Sequence, residues 1–310
     1  MHRFEPAPNL LLVGGPKTGT TSLMHWLREH EQIFHPWPNE SQFLIAGAAE
    51  FPTSPIHPKG TAILAPYADL SNYNKENYVM DKSAFHLYST RALSSIKDQM
   101  PEAKVIITLR DPIDIMLSMH QEHRKRLIDY TLTQDEMIDY CREAGFVIDE
   151  NNPQTYSFMR FPQLKQPVLE WVEKLGDRVR IIPINSLKAA PIQTLNEILE
   201  WLGVEKFSDD INLSKQNESG MINSARWAQF VRKPPTILAS LIKILIPTQK
   251  LRKAILDPIR SPAFKPKPYR RPELSEDVRK ELETVFSEEL EFQKNLSKYI
   301  DSKLIIDKSR

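Results

Sequence analysis

The stretch "LLLVGGPKTGTTSL" at residues 10–23 decides the fold. An apolar run of four enters two glycines, passes a lysine and a third glycine, and continues into a helical pattern. A strand that leaves a glycine-rich turn as a helix offers an anion backbone N–H groups and the positive end of a helix dipole. Gly14, Gly15 and Gly19 let the backbone turn sharply and come close to a ligand. Thr18, Thr20 and Thr21 add hydroxyl donors, and Lys17 adds a mobile positive charge. The alternative is a plain strand-to-helix turn with a solvated lysine, and the density of hydroxyls favours the anion site. The loop departs from G-x-x-x-x-G-K-[ST], because Thr20 and not a lysine follows Gly19. No hydroxyl is therefore placed after a lysine to hold Mg²⁺, which counts against ATP or GTP hydrolysis.

Outward from this loop, apolar runs at 9–15, 104–110 and 178–184 read as buried parallel strands, with a weaker one at 77–83. Helical patterns follow them. Leu23, Trp26, Leu27 and His30 fall on one face, as do Ile192, Leu195, Ile198, Leu199 and Leu202, with Gly203 as a C-cap. A last helix starts at Ser275, an N-cap, and turns Val278, Leu282, Val285 and Phe286 to one side. The alternation predicts an α/β fold, a P-loop-like central parallel sheet flanked by helices on both faces, with ligands at the carboxyl ends of the strands. One domain over 1–310 is expected. A proline-rich insertion at 232–272 carries the apolar run "ILASLIKILI" at 237–246, which reads as a covering helix. A lid over an apolar substrate, or a membrane-surface contact, is the sharper alternative.

The bulk numbers narrow the function classes. Across 310 residues, 41% hydrophobic and 26% charged residues fit an ordinary globular protein with a sizeable core. A net charge of +1 gives no general attraction to nucleic acid or an anionic membrane, so any anion site is local. The single cysteine, Cys141, excludes an internal disulfide and fits a reducing compartment. The N-terminus lacks the pattern of a secretory signal, and no run approaches the roughly 20 apolar residues of a membrane span. A cytoplasmic setting is expected. Scattered histidines and one cysteine suggest no metal site.

Four further stretches give the loop its context. "PKTGTTSL" resembles the 5′-phosphosulfate-binding loop of sulfotransferases that use 3′-phosphoadenosine 5′-phosphosulfate (PAPS), and Pro16, Lys17, Thr18, Gly19, Thr20 and Thr21 fill every position of that pattern. "RDPIDIMLS" resembles the family's 3′-phosphate motif, which assigns Arg110 and Ser118 to the second anion. A guanidinium and a hydroxyl converging on a phosphate make chemical sense. The local alternative is that Arg110 pairs with Asp111 or Asp114 at a helix start. "NESQF" resembles the base-bearing segment of the carbohydrate branch, although Asn39 and Leu44 depart from it, and implies Glu40 as the base. "MDKSAFHLY" resembles the segment that brings a lysine to the transferring sulfate. It implies Lys82 and Ser83, with Asp81 in place of the usual glutamate, and offers His86 as the alternative base. "KPYRRPELS" is similar to a C-terminal loop that closes over the cofactor, through Lys267 and with Arg270 or Arg271 as substitutes.

The resemblance spans about 9–300, is firm in the first 120 residues, and thins at 127–161 and 208–272. It implies a sulfotransferase of the carbohydrate or heparan-sulfate-like branch, with PAPS as co-substrate, PAP (3′,5′-adenosine bisphosphate) as product, and no metal. Lys17 and Lys82 would stabilise charge on the transferring group. The implied acceptor is a hydroxyl or amine of a carbohydrate, glycolipid or other small metabolite, and no nucleic acid. The competing readings are a non-catalytic PAPS- or PAP-binding protein and a P-loop nucleotide kinase.

Overall fold

The computed structural model describes residues 7–36, 40–45, 72–126, 128, 131–208, 220–222, 266–268 and 271–309. The strands in chain order are β1 (Leu10–Leu12), β2 (Ile33–Phe34), β3 (Tyr78–Lys82), β4 (Lys104–Leu109), β5 (Val179–Pro183), β6 (Gly220–Ile222) and β7 (Pro266–Pro268). The helices begin with α1 (Thr20–Leu27), α2 (Thr90–Gln99), α3 (Pro112–Lys125), α4 (Gln134–Glu143), α5 (Pro153–Arg160) and α6 (Lys165–Leu175). They continue with α7 (Ile184–Ala189), α8 (Pro191–Leu202), α9 (Glu276–Val285), α10 (Ser287–Lys294) and α11 (Leu296–Tyr299).

Five strands form one parallel sheet in the order β2-β3-β1-β4-β5. Leu10 and Leu12 of β1 lie against Met80 and Lys82 on one side and against Lys104 and Ile106 on the other. From β1 the chain builds β2 and β3 to one side, then crosses to β4 and β5 on the other. The strand order reverses around β1, and in open parallel sheets such a reversal leaves a crevice at the carboxyl ends.

Burial explains why these runs are strands. Leu10, Leu11 and Leu12 are all fully buried, as a central strand covered on both faces requires. On one face Leu10, Leu12, Met80, Ile106 and Ile182 pack against Leu23, Met24 and Leu27 of α1 and the apolar stripe of α8. The intervening residues Leu11, Val105, Ile107 and Ile181 are equally buried, so the other face is covered too. Trp171 of α6, itself buried, donates its indole N–H to the Leu87 carbonyl beyond β3.

The expected α/β architecture is present, with local differences. The weak run at 77–83 is a full strand. β2 is two residues long and had no apolar run to mark it. Helix α8 ends at Gly203 in the left-handed region, φ 78, as a C-cap glycine should. Ser275 accepts the Val278 N–H at the start of α9.

The chain divides into two compact units. The first, Met1–Met119, Tyr140–Gln216 and Leu274–Arg310, contains the parallel sheet. The second, His120–Asp139 and Asn217–Glu273, contains the antiparallel pair β6–β7, with Met221 opposite Lys267. The apolar run at 237–246 lies outside the described residues, as does most of the expected insertion at 232–272. In the first unit residues 304–309 run along the edge of β5. Ile305 bridges Ile181 in parallel, the Ile306 N–H donates to the Ile181 carbonyl (2.9 Å), and Ile306 joins the core.

Candidate active site

The loop after β1 is shaped mainly by contacts with its own protein. A Cβ on Gly14 would stand 2.6 Å from the Thr108 backbone nitrogen on β4. One on Gly15 would stand 2.8 Å from the Tyr88 hydroxyl oxygen and from a Leu164 methyl. Gly14 is therefore required by the backbone of β4, whereas the neighbours of Gly15 are side-chain ends that can shift. Gly19 is the residue in a left-handed conformation, φ 96, and it starts α1 without a side-chain cap. Lys17 also has positive φ, 67, which a non-glycine residue adopts at a local energetic cost.

The hydroxyls divide. Thr18 is fully buried, donates to the Gly15 carbonyl (2.5 Å) and lies 2.6 Å from the Thr108 hydroxyl. Its side chain holds the loop to β4. Thr20 is buried and Thr21 half-buried in the first turn of α1, Pro16 is buried, and Lys17 is partly exposed. Thr108 was missed in the sequence, although a threonine inside the apolar run "VIITLR" marks a polar need in a buried strand.

Arg110 stands just past β4. Its Nη1 donates to the Lys17 carbonyl (3.0 Å), so the two motifs expected to hold two anions meet across 93 residues of sequence. Its Nη2 lies 3.3 Å from Asp114, so the local pairing weighed for this arginine is also present. Asp111 caps α3 by accepting the Asp114 N–H, and Gln293 donates to the Arg110 carbonyl. Ser118 is buried one turn beyond Asp114, at i+4 and hence on the same helix face. Arg110 Nε is buried and makes no hydrogen bond among the described residues. Beside the uncapped start of α1 and Lys17, such a donor set suits a phosphate-type anion.

β3 carries the remaining candidates. Lys82 ends the strand, and its Nζ donates to Glu40 Oε1 at 2.6 Å. Glu40 and Lys82 are thus brought together, the carboxylate more exposed than the ammonium (24% against 10%). Asp81, one residue before, points into the protein and is fully buried; Ser41 donates to its Oδ1. Burial pushes the Asp81 carboxyl up to about 6, against a downward pull from the neighbouring Ser41 and Ser83 hydroxyls. Ser83 is also buried, and its hydroxyl accepts the Gln42 N–H (2.9 Å).

His86, the alternative base, is sealed from solvent. Its Nδ1 is 3.8 Å from Asp81 Oδ2, and neither ring nitrogen completes a hydrogen bond among the described residues. Burial pushes its imidazole down to about 3, against a smaller upward pull from the Gln42 backbone. The ring is fully buried, so an acceptor in solution does not reach it in this conformation. His35, bonded to the Met80 carbonyl, is pushed down to about 4, chiefly by burial and then by Arg28 and Lys82. Lys267 sits on β7, and Arg270 lies outside the described residues. Among the described residues no group of three His, Cys, Asp or Glu side chains could hold a metal, and no helix is long and apolar enough to cross a membrane.

Comparison with known proteins bears on this arrangement. The family model described as the sulfotransferase domain matches residues 7–220. The chain is 23% identical over 216 residues to a bifunctional heparan sulfate N-deacetylase/N-sulfotransferase 1 of Caenorhabditis briggsae, covering 64% of this chain and 23% of that protein. It is 28% identical over 131 residues to human bifunctional heparan sulfate N-deacetylase/N-sulfotransferase 2, covering 41% and 14%. The alignment thus covers less than a quarter of either relative. A sulfotransferase from Alicyclobacillus acidocaldarius shares the fold with a TM-score of 0.53 at 20% identity, over 81% of this chain and 96% of that one.

Proposed function

The chain belongs to the sulfotransferase domain family, and from that premise we propose that it transfers the sulfuryl group of PAPS to a hydroxyl or amine of a carbohydrate or glycolipid acceptor. The observation that carries the proposal is the meeting of Arg110 with the Lys17 loop at the carboxyl ends of β1 and β4. The Glu40–Lys82 pair stands at the end of neighbouring β3. The heparan sulfate N-sulfotransferases among its relatives motivate the sugar acceptor.

In this reading Pro16–Thr21 and the start of α1 hold the 5′-phosphosulfate, and Arg110 and Ser118 hold the 3′-phosphate. The acceptor oxygen or nitrogen forms a bond to sulfur as the bond from sulfur to the 5′-phosphate oxygen breaks. The electron pair leaves with that oxygen, and PAP is the product. Glu40 takes the acceptor proton as general base. Lys82 exchanges its contact with Glu40 for the sulfuryl oxygens, which frees the carboxylate while the cation meets the developing charge. Lys17 neutralises the departing phosphate. The same reading treats 1–310 as one sulfotransferase domain and sets the enzyme in the cytoplasm, where the buried Cys141 stays reduced.

Thermal shift with PAP against ATP and Mg²⁺ tests the donor assignment. PAP is expected to stabilise the protein, and stabilisation by ATP and Mg²⁺ alone would remove the reading. Lys17→Ala should lose transfer by about 10²–10³-fold, a scale set by removing one transition-state donor. Arg110→Ala should weaken PAP binding by about 10- to 100-fold, as expected for a lost charged hydrogen bond. An Arg110→Ala protein that binds PAP as tightly as wild type would end the 3′-phosphate assignment. Mass spectrometry of an acceptor panel incubated with labelled PAPS, including N-desulfated heparan sulfate oligosaccharides, identifies the acceptor.

A further inference from the structure

Glu40 lies on a segment without regular secondary structure, yet a base must be held within a fraction of an ångström of its acceptor. The residues that follow it are each tied to the end of β3 or just beyond. Ser41 donates its hydroxyl to Asp81 Oδ1. The Gln42 N–H donates to the Ser83 hydroxyl at 2.9 Å. The Phe43 ring stands edge-on to the His86 ring, with centroids 5.7 Å apart and planes at 77°. Gln42 itself is in the left-handed region, φ 51, and its carbonyl accepts the Ile45 N–H (3.1 Å), so the turn is tight. Leu44 and Ile45 are buried and anchor its far end.

We propose that Asp81, Ser83 and His86 are positioning residues that clamp Ser41, Gln42 and Phe43 to β3 and thereby fix Glu40 against Lys82. The inference rests on Glu40 being the base, as proposed above. Its force comes from what the clamp costs. Among the described residues Asp81 Oδ2 and both His86 nitrogens are buried without a hydrogen bond, and each such atom is destabilising in a protein interior. A site selected only for packing would fill these places with apolar side chains of similar size. The polar set instead gives one conformation to a segment that has no helix or strand of its own. It also ties the segment bearing the base to the strand bearing the lysine, because Lys82 lies between Asp81 and Ser83 in the chain. His86 thus acquires a role, as the surface under Phe43, that its chemistry as a base did not give it.

The test is a comparison of Asp81→Ala, Asp81→Asn and Glu40→Gln with the Glu40→Gln/Asp81→Ala double variant. Turnover is read as PAP release from PAPS, both with N-desulfated heparan sulfate oligosaccharides and with water as the acceptor. Asp81→Ala should lower kcat by about 10- to 100-fold, the cost of a misplaced catalytic group, while PAP affinity stays within about twofold. Asp81→Asn keeps an oxygen for the Ser41 hydroxyl and should recover most of that loss. The double variant should be no slower than Glu40→Gln beyond about twofold, because a residue acting through Glu40 has nothing left to act on. Should Asp81→Ala not fold, Ser41→Ala and Ser83→Ala, which each remove one hydroxyl, should show the same kcat loss in smaller degree. Wild-type kcat in the clamp variants beside a crippled Glu40→Gln would overturn the clamp and leave the base in place. A fully active Glu40→Gln would overturn the base, and the clamp with it.

Discussion

At the scale of single residues, the buried carboxyl of Asp81 carries a pH signature separate from catalysis. Its pKa is raised from 3.8 to about 6, chiefly by burial, so the native protein resists its ionisation. A carboxyl raised on folding contributes its full stability below the unfolded value and loses it as pH climbs through the folded one. Between about pH 3 and 7 this one group should therefore withdraw on the order of 3 kcal/mol of stability, most of it between pH 4 and 6. Asparagine cannot ionise, so the melting temperature of Asp81→Asn should pull ahead of wild type as pH rises from 4 to 7. Thermal denaturation across that range checks it, and a gap independent of pH would refute it. Lys17, Arg110 and Lys82 were legible as residues because their chemistry is written in short local patterns. The clamp was not, since Ser41 and Asp81 are 40 residues apart and neither has a spacing that announces the other.

At the scale of elements, the close approach of β1 to β4 governs the loop. The Cβ of Gly14→Ala would meet the backbone nitrogen of Thr108 at 2.6 Å and its carbonyl oxygen at 3.1 Å, and backbone cannot swing aside as a side chain can. The end of β1 would have to move, at about 1–3 kcal/mol for an overpacked site. The Thr18–Thr108 contact would move with it. Denaturant unfolding should show the lost stability, and titration with PAP should show weakened binding; a Gly14→Ala protein equal to wild type in both would exclude the close approach. β1, β4 and β5 were readable because parallel strands buried on both faces are continuous apolar runs. β2 and β7 were not: one is two residues long, and the other is Pro-Lys-Pro, a sequence that argues against a strand on its own terms. They exist because a neighbour supplies the pairing.

At the scale of the whole molecule, β5 would be an open edge if residues 304–309 did not cover it. Ile306 is buried, the Ser186 hydroxyl donates to Asp307 Oδ1, and the Lys308 N–H donates to the Ser186 hydroxyl, both at 2.9 Å. Deleting residues 305–310 should cost at least the roughly 1.5–3 kcal/mol of one buried isoleucine. It should also leave β5 free to pair with another copy, as uncovered edges do. Lower thermal stability together with self-association in size-exclusion chromatography is the expected result. A monomer of unchanged melting temperature would show the edge to be protected without this segment.

That covering strip also orders events during synthesis. Ser186 and Asp307 are 121 residues apart in sequence, and an emerging chain presents β1 to β5 long before it presents Ile306. While translation continues, the nascent sheet carries an exposed border and an unfilled place in its core, a state in which aggregation competes with folding. Completion of the sheet is thus a long-range event, and the pace at which the residues after β5 follow sets how long the border stays open.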